Sequence, residues 1–466
     1  MEYSPNTDFL ALALRQRRQK LANLINFPVL LWSGGKISRN YPANTFPFRA
    51  SSHFLYFAGL PLENAVIYLK DGKLELFIDN AHPSKTLWQG ETPKREEIAN
   101  RIGADAAFPL SDLESRVRNA ATIAVQDYST LLQQSQLLDR PLPIAKSPNG
   151  IDLELTKAII SLRLTHDRAA LAELRQATAV TVEAHKAGMA ATSKAKNEAG
   201  IRAAMESKII TENMTFAYPS IVTTRGEILH NEHYHHPLQK GDLLLADVGA
   251  ETAMGWAGDV TRTWPISGKF SPTQRAIYDV VLAAHDACIA KMLPGVEYVD
   301  IHLLAAQVIA EGLVDLGILQ GQPDDLVEMD AHALFFVHGI GHLIGLDVHD
   351  MEDFGDLAGY QEGRVRSNRF GLNYLRLNRT LQPGMLVSIE PGFYQVSGIL
   401  NSQKNRLKYQ NVVNWDKLEQ FADVRGIRIE DDVLITETGT EVLTANLPTH
   451  AEEIEQLVNG CGIEIK

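Results

Sequence analysis

Cysteine is nearly absent. The 466 residues hold only Cys288 and Cys461, too few for a disulfide framework, so a reducing compartment is expected. No stretch approaches 18 apolar residues, and no membrane-spanning helix is expected. Positive charge is in deficit: 44 Lys and Arg against 57 Asp and Glu give 44 − 57 = −13. An acidic chain of this kind gives no electrostatic reason to expect nucleic-acid binding. Low-complexity tracts and repeats of solenoid length are lacking, and so is a nucleophile elbow. The N-terminal stretch MEYSPNTDFLALALRQRRQKL is not ordered like a secretory signal, because its basic cluster follows the apolar run. A cytoplasmic location is therefore expected. The RQRRQK cluster reads as the solvated face of a helix rather than a lipid-binding patch.

What is present suits a globular chain with a sizeable core: 45% of residues are hydrophobic and 22% charged. The length suggests two or three domains. Residues 8–26 place Leu10, Leu14, Leu21 and Leu24 at helical spacing, and Asn26 and Pro28 end the helix. Val29–Trp32, Phe54–Phe57, Ala65–Leu69, Leu74–Ile78 and Ile123–Gln126 read as strands, with Asp71-Gly72 as the turn of a hairpin. Helical stretches around Lys94–Arg101 and Asp112–Arg118 alternate with them. Residues 1–155 thus read as an α/β domain, and Arg140–Gly150, with its three prolines, as a linker.

Residues 166–456 differ in character. Helices are expected at Thr165–Thr192, Asn197–Asn213, from Ser271 to about Met292, and at Val299–Leu316. Ser271-Pro272-Thr273-Gln274 has the N-cap Ser, N1 Pro and Gln of a capping box. Short strands are expected at Ser220–Thr223, Phe335–His338, Leu386–Glu390 and Ile427–Ile435, giving an α+β domain with a mostly antiparallel sheet. Asp353–Thr380 and Gly398–Gly426 lack periodicity and read as long loops near a site.

The chemistry concentrates around Asp242–Pro265, DLLLADVGAETAMGWAGDVTRTWP. An apolar run ends in Asp247, and an alternating run contains Asp259, which together suggest a hairpin. A turn centred near Ala253 would set the two carboxylates opposite each other, where they repel, so a cation is expected between them. Further acidic residues stand in or at the ends of apolar strands: Glu390 in Ser388-Ile389-Glu390-Pro391-Gly392, and Glu430 in Arg428-Ile429-Glu430-Asp431-Asp432. His338 and His342 share helical i,i+4 spacing, but Gly339 and Gly341 between them argue for a strand-to-turn segment that lets backbone approach closely. Taken singly, each feature has a plain structural reading: an edge Asp, a core His, a turn, a surface ion pair. Their convergence in apolar strands is what a functional centre requires, since an unpaired buried charge is costly.

Asp247, Asp259, Glu390 and Glu430 carry −4, which two divalent ions neutralise. An oxygen-rich set with one imidazole favours Mn²⁺, with Co²⁺, Fe²⁺ or Zn²⁺ as substitutes. Two ions about 3.5–4 Å apart activate one water as hydroxide and polarise a carbonyl, which is hydrolytic chemistry.

At these residues the sequence resembles the dinuclear-metal "pita-bread" peptidases, in the aminopeptidase P and prolidase branch. Ala257-Gly258-Asp259-Val260-Thr261-Arg262-Thr263, the His338–His349 segment, Glu390-Pro391-Gly392 and Arg428–Asp432 resemble its catalytic signatures in order. Phe48-Arg49 with Phe54–Gly59 resembles the aminopeptidase P N-terminal domain. The resemblance implies that Asp247 chelates one metal, Asp259 and Glu430 bridge the pair, and His342 and Glu390 bind the other. Glu390 would also handle the proton of the attacking water. His230 would bind substrate, His349 would donate to the scissile carbonyl, His338 would line a proline pocket, and Arg428 would orient the carboxylates. The implied partner is a proline-containing peptide, the implied assembly a homodimer, and the implied reaction cleavage before proline. Prolidase activity on Xaa-Pro dipeptides is the alternative, and a metal-free binding protein on the same fold a further one. The eleven residues between Asp247 and Asp259 exceed the family's usual ten by one, which implies a bulge or an altered turn.

Overall fold

VLLW at Val29–Trp32 forms a strand, β1, buried at all four positions. The computed structural model describes residues 7–142 and 148–460, and the chain divides into two units. The first runs to Glu173 and takes in two short returns from later sequence, Ala253–Gly255 and Asp353–Ala358; the second holds the remainder.

In the first unit, β2 (Val66–Lys70), β3 (Lys73–Phe77), β4 (Ala106–Phe108) and β5 (Ala121–Thr122) join β1 in a sheet of order β4-β3-β2-β1-β5. Pairings β1–β2 and β2–β3 are antiparallel, while β3–β4 and β1–β5 are parallel. Asp71 and Gly72 have φ of 52° and 76°, the positive values that a two-residue primed turn needs. Thr7–Leu24 is the expected helix. Phe54–Phe57 is not a strand: it lies within a helix, Ser52–Ala58, that is buried throughout and closed by Gly59 at φ 69°. A short apolar run buried on every side has no polar face to display a period. The expected strand at Ile123–Gln126 gives way to β5 just before it, and Asp112–Arg118 to a 3₁₀ turn, Leu110–Arg116. Part of the expected linker falls outside the described residues, and from Gly150 to Arg163 the chain is helical.

The two returns are tied down within this unit. Arg49 donates to the Gly255 carbonyl at 3.1 Å. His53 stacks on Phe354 and bonds Asp353 through Nε2 at 2.8 Å, while its Nδ1 accepts from Arg163 at 2.9 Å.

In the second unit, Ser271 Oγ accepts from Gln274 N and the Gln274 side chain accepts from Ser271 N, which starts helix Pro272–Lys291 as expected. Helix Arg168–Ala191, which starts in the first unit and runs on into the second, and helices Glu198–Thr211 and Tyr298–Asp315 also form where the pattern places them. The strands are short and antiparallel. β6 (Ile221–Thr223), β7 (Leu243–Asp247) and β8 (Thr261–Pro265) form one sheet in order β8-β7-β6. β9 (Leu386–Ile389) and β10 (Gly392–Tyr394) pair with β12 (Asp431–Ile435) and β11 (Gly426–Arg428), and β13 (Thr440–Val442) flanks β12. Glu430 N donates to Thr261 O at 3.0 Å, bringing the two hairpins side by side.

Phe335–His338 is irregular rather than a strand, following a 3₁₀ turn at His332–Leu334. Tyr394 N donates to Phe335 O at 2.9 Å, Glu390 N to Ile340 O at 2.9 Å and Ser388 N to His342 O at 3.0 Å. A Cβ on Gly341 would lie 2.2 Å from the Ser388 carbonyl oxygen, so this glycine permits the close approach. The stretch read as a loop at 398–426 contains the helices Gln403–Lys408 and Trp415–Glu419, with Ser397–Leu400 at its start. Among the described residues no helix is long and apolar enough to cross a membrane.

Candidate metal centre

The first hairpin sets Asp247 opposite Thr261, not opposite Asp259. The register continues beyond the strands, with Val248 N to Val260 O at 3.1 Å, Gly258 N to Ala250 O at 2.9 Å and Thr252 N to Trp256 O at 2.9 Å. Its turn therefore centres on Met254, one residue later than expected, and Asp259 lies diagonally from Asp247 on the same face. The longer spacing is absorbed by the turn, and the β7–β8 ladder runs without a shift. The Tyr218 hydroxyl spans the diagonal, 2.6 Å from Asp247 Oδ1 and 2.5 Å from Asp259 Oδ1.

The second hairpin pairs Ile389 with Asp431 and Gly392 with Arg428. The register is the same on both sides of the interruption, so Glu390 faces Glu430. Pro391 explains the gap. Its carbonyl accepts from Ile429 N at 3.3 Å, but it has no N–H to return.

His342 Nε2 stands 3.4 Å from Asp259 Oδ2 and 3.6 Å from Glu390 Oε1. Asp259, His342 and Glu430 are buried, each with a ligand atom within 4.8 Å of the others. Arg428 is buried among the acids: Nη2 bonds Asp247 Oδ2, Nε reaches Thr261 Oγ1 at 2.9 Å, and Nη1 reaches the Tyr394 hydroxyl at 2.9 Å. Thr261 Oγ1 in turn donates to Glu430 Oε2 at 2.6 Å. The structure thus gathers Asp247, Asp259, His342, Glu390, Glu430 and Arg428 into one cluster.

The other histidines surround it. His338 donates from Nδ1 to Gly339 O at 2.7 Å and accepts at Nε2 from Tyr394 at 2.8 Å; its Nδ1 is 3.7 Å from Glu390 Oε2. The His349 ring is centred 4.1 Å from that of His342, and its Nδ1 lies 2.5 Å from Glu352 Oε2. Glu352 also pairs with Arg376. A proton on Nδ1 leaves Nε2 of the neutral ring an acceptor, so donation by Nε2 to a carbonyl requires the doubly protonated ring. His230 occupies an exposed turn after β6. Desolvation and then Arg428 lower its pKa, with Asp247, Arg376 and His349 also acting on it.

Burial dominates the electrostatics. It raises Asp259 to about 7, with Asp247 adding to the effect, and raises Glu390 to about 7 despite His342 and Arg428. Glu430 is raised well above the carboxylate range by burial and then by Asp259, Glu390 and Asp247. Burial lowers His338 and His349 to about 3. Buried acids that repel one another around neutral imidazoles need positive charge, and one imidazole among carboxylates is a donor set suited to divalent ions. The residues present fit a metal centre.

Tyr218, Tyr394 and Glu352 carry no signal in the sequence, and Thr261 is visible there only as a member of the Ala257–Thr263 signature. Tyr218 precedes β6 in Ala217-Tyr218-Pro219, a context with no motif, and Tyr394 reads as an ordinary strand aromatic.

The profile of metallopeptidase family M24 matches residues 172–437. The chain belongs to this family. The aminopeptidase P N-terminal domain matches residues 14–127, which places this M24 chain in the aminopeptidase P branch. A probable Xaa-Pro aminopeptidase of Fusarium vanettenii is 32% identical over 426 residues, 89% of this chain and 87% of that protein. One from Verticillium alfalfae is 33% identical over 418 residues, 88% of each. Among solved structures, aminopeptidase PepP of Pseudomonas aeruginosa is 28% identical with a TM-score of 0.79, covering 99% of both chains. An alanine variant of Escherichia coli aminopeptidase P in complex with substrate is 28% identical with a TM-score of 0.77, covering 97% of this chain and 98% of that one. Membership in a metallopeptidase family implies divalent metal, and Asp259, His342 and Glu430 form a group that could hold an ion.

Proposed function

We propose that this M24 metallopeptidase is an Xaa-Pro aminopeptidase, hydrolysing the bond before proline and releasing the N-terminal residue from peptides with proline second. The observation that carries the reading is the cluster of four carboxylates and His342, with Asp259, Glu430 and His342 buried and Asp247 and Glu390 half-buried, in a chain aligned almost end to end with proteins of that name. Asp247, Asp259, His342, Glu390 and Glu430 would hold two divalent ions. Their mostly oxygen character favours Mn²⁺. Such a pair supplies an activated water and a Lewis acid for the scissile carbonyl.

The chain's own groups do the rest. Glu390, facing the cluster from a strand end, takes the proton from the attacking water and passes it to the leaving proline nitrogen. His230, in the exposed turn after β6, binds substrate. His349, its orientation fixed by Glu352, faces the scissile carbonyl. His338, fixed by Gly339 and Tyr394, lines the proline pocket. Arg428 holds Asp247 in place. Residues 1–155 and 166–456 form the N-terminal and catalytic domains of a cytoplasmic homodimer.

The test is to strip the protein with chelator, restore Mn²⁺, Co²⁺ or Zn²⁺, and assay Ala-Pro and Ala-Pro-Ala. Tripeptide cleavage with about two ions per chain is the expected result. Cleavage of the dipeptide alone would make it a prolidase. No metal and no cleavage would overturn the reading.

A further inference from the structure

The segment His230-Asn231-Glu232-His233-Tyr234-His235-His236 carries three imidazoles that the peptidase reading does not use. His233 and His235 are exposed and His236 is half-buried. The rings of His235 and His236 are centred 4.3 Å apart, and those of His233 and His235 6.1 Å apart. With metal–nitrogen bonds of about 2.0–2.1 Å, each ring centre sits about 3 Å from a bound ion, so two rings on one ion stand about 4.5–5.5 Å apart. The observed separations bracket that range. Bringing the three nitrogens onto one ion requires His233 and His235, both exposed, to turn toward the held ring of His236.

The backbone beneath them is pinned. Ala199 N donates to Tyr234 O at 3.0 Å, Glu198 N to His236 O at 3.2 Å, and Leu238 N to Lys196 O at 3.1 Å. Tyr234 anchors inward, its hydroxyl donating to Ser220 O at 2.6 Å. His236 is oriented from behind: its Nδ1 lies 2.9 Å from Oε2 of Glu198, whose side chain is wholly buried. A ring that gives its Nδ1 proton to a carboxylate presents the Nε2 lone pair outward, the arrangement that fixes metal-binding histidines.

We propose that His233, His235 and His236 form a second metal site, separate from the carboxylate centre, that takes a borderline transition ion of the Zn²⁺ or Ni²⁺ kind. Its ligands are nitrogen, whereas those of the other centre are mostly oxygen, so the two sites sort ions by ligand chemistry. The site does not depend on the peptidase reading, and its failure would leave that reading intact.

The experiment is equilibrium dialysis of the Mn²⁺-loaded protein against Ni²⁺, with both metals counted. Retention of Ni²⁺ with the Mn²⁺ count unchanged is expected, and His233→Gln with His235→Gln should weaken it roughly tenfold or more. Both substitutions are at exposed positions, and an unchanged circular dichroism spectrum would show the fold intact; His235→Gln alone provides a second, milder variant. Absence of Ni²⁺ uptake, equal uptake by parent and double variant, or uptake matched by loss of Mn²⁺ would each overturn the proposal.

Discussion

Glu390 and Glu430 face each other across the interruption that Pro391 makes in their strand pair. Asp247 and Asp259 in the other hairpin lie on a diagonal, and Glu430 N joins the two hairpins by its bond to Thr261 O. Each carboxylate pair is thus held by backbone pairing, not by loop conformation, and the repulsion between acids is fixed into the sheet. Rigid strands give a centre whose ligands need little ordering when an ion arrives.

Asp259→Ala removes the acid nearest His342, at 3.4 Å. Groups that merely orient metal ligands cost about 10–100-fold when lost, so loss of a ligand should exceed about 100-fold in kcat/KM on Ala-Pro-Ala. Metal content should fall with it. Full activity with full metal content in this variant would remove Asp259 from the ligand set.

Metal binding should expel protons. In the metal-free protein Asp259 and Glu390 titrate at about 7, raised chiefly by burial. Below that pH both hold protons that a cation must displace; above it they are already ionised. Titrating ions into chelated protein in buffers of differing ionisation enthalpy should show more protons released at pH 6 than at pH 8, and weaker binding at pH 6. Proton release that is zero at pH 6, or larger at pH 8, would contradict the raised values.

Tyr218→Phe tests the hydroxyl that reaches both Asp247 and Asp259. Burial and the two acids hold this phenol well above its usual range, so it remains a donor with a single proton for two acceptors. Removing it takes a hydrogen bond from both carboxylates; Asp247 keeps its bond to Arg428, so Asp259 is the one loosened. The expected effect is about 10–100-fold weaker metal binding with the thermal transition little changed. Parent-like affinity would make Tyr218 a packing residue.

Local signals in the sequence were legible because they depend on few residues: the Ser271 capping box, the Asp71-Gly72 turn, and the buried VLLW strand. Phe54–Phe57 misled because an apolar run enclosed by core shows no period; Phe335–His338 is buried only at Phe335 and Phe336 and follows a 3₁₀ turn instead of joining a ladder. The Asp247–Asp259 relationship was visible as a shared face but not as a diagonal, since register depends on where the turn centres, and Ala253 and Met254 differ by a single residue. The acids and His342 stood out because charge in apolar strands is rare. Tyr218, Tyr394 and Glu352 did not, because a hydroxyl or surface carboxylate acquires its role only from what the fold places beside it.

Gly339 and Gly341 let the His338–His342 segment approach neighbouring backbone, and Gly341 allows the sharpest test. A Cβ there would lie 2.2 Å from Ser388 O and 2.3 Å from the Tyr298 hydroxyl, both in the buried interior. Neither gives way easily: Ser388 is held in β9 and Tyr298 begins a helix and is wholly buried. Gly341→Ala should therefore push the segment off β9, costing about 1–3 kcal/mol or more of stability and displacing His342, the adjacent residue. Gly398→Ala, where a Cβ meets nothing within 4 Å, is the control. The expected outcome is a lowered unfolding temperature and lowered metal affinity for Gly341→Ala, with neither changed for Gly398→Ala. A Gly341→Ala variant as stable and as metal-replete as the parent would show that the segment has slack, and that His342 is placed by something other than the backbone contact with Ser388.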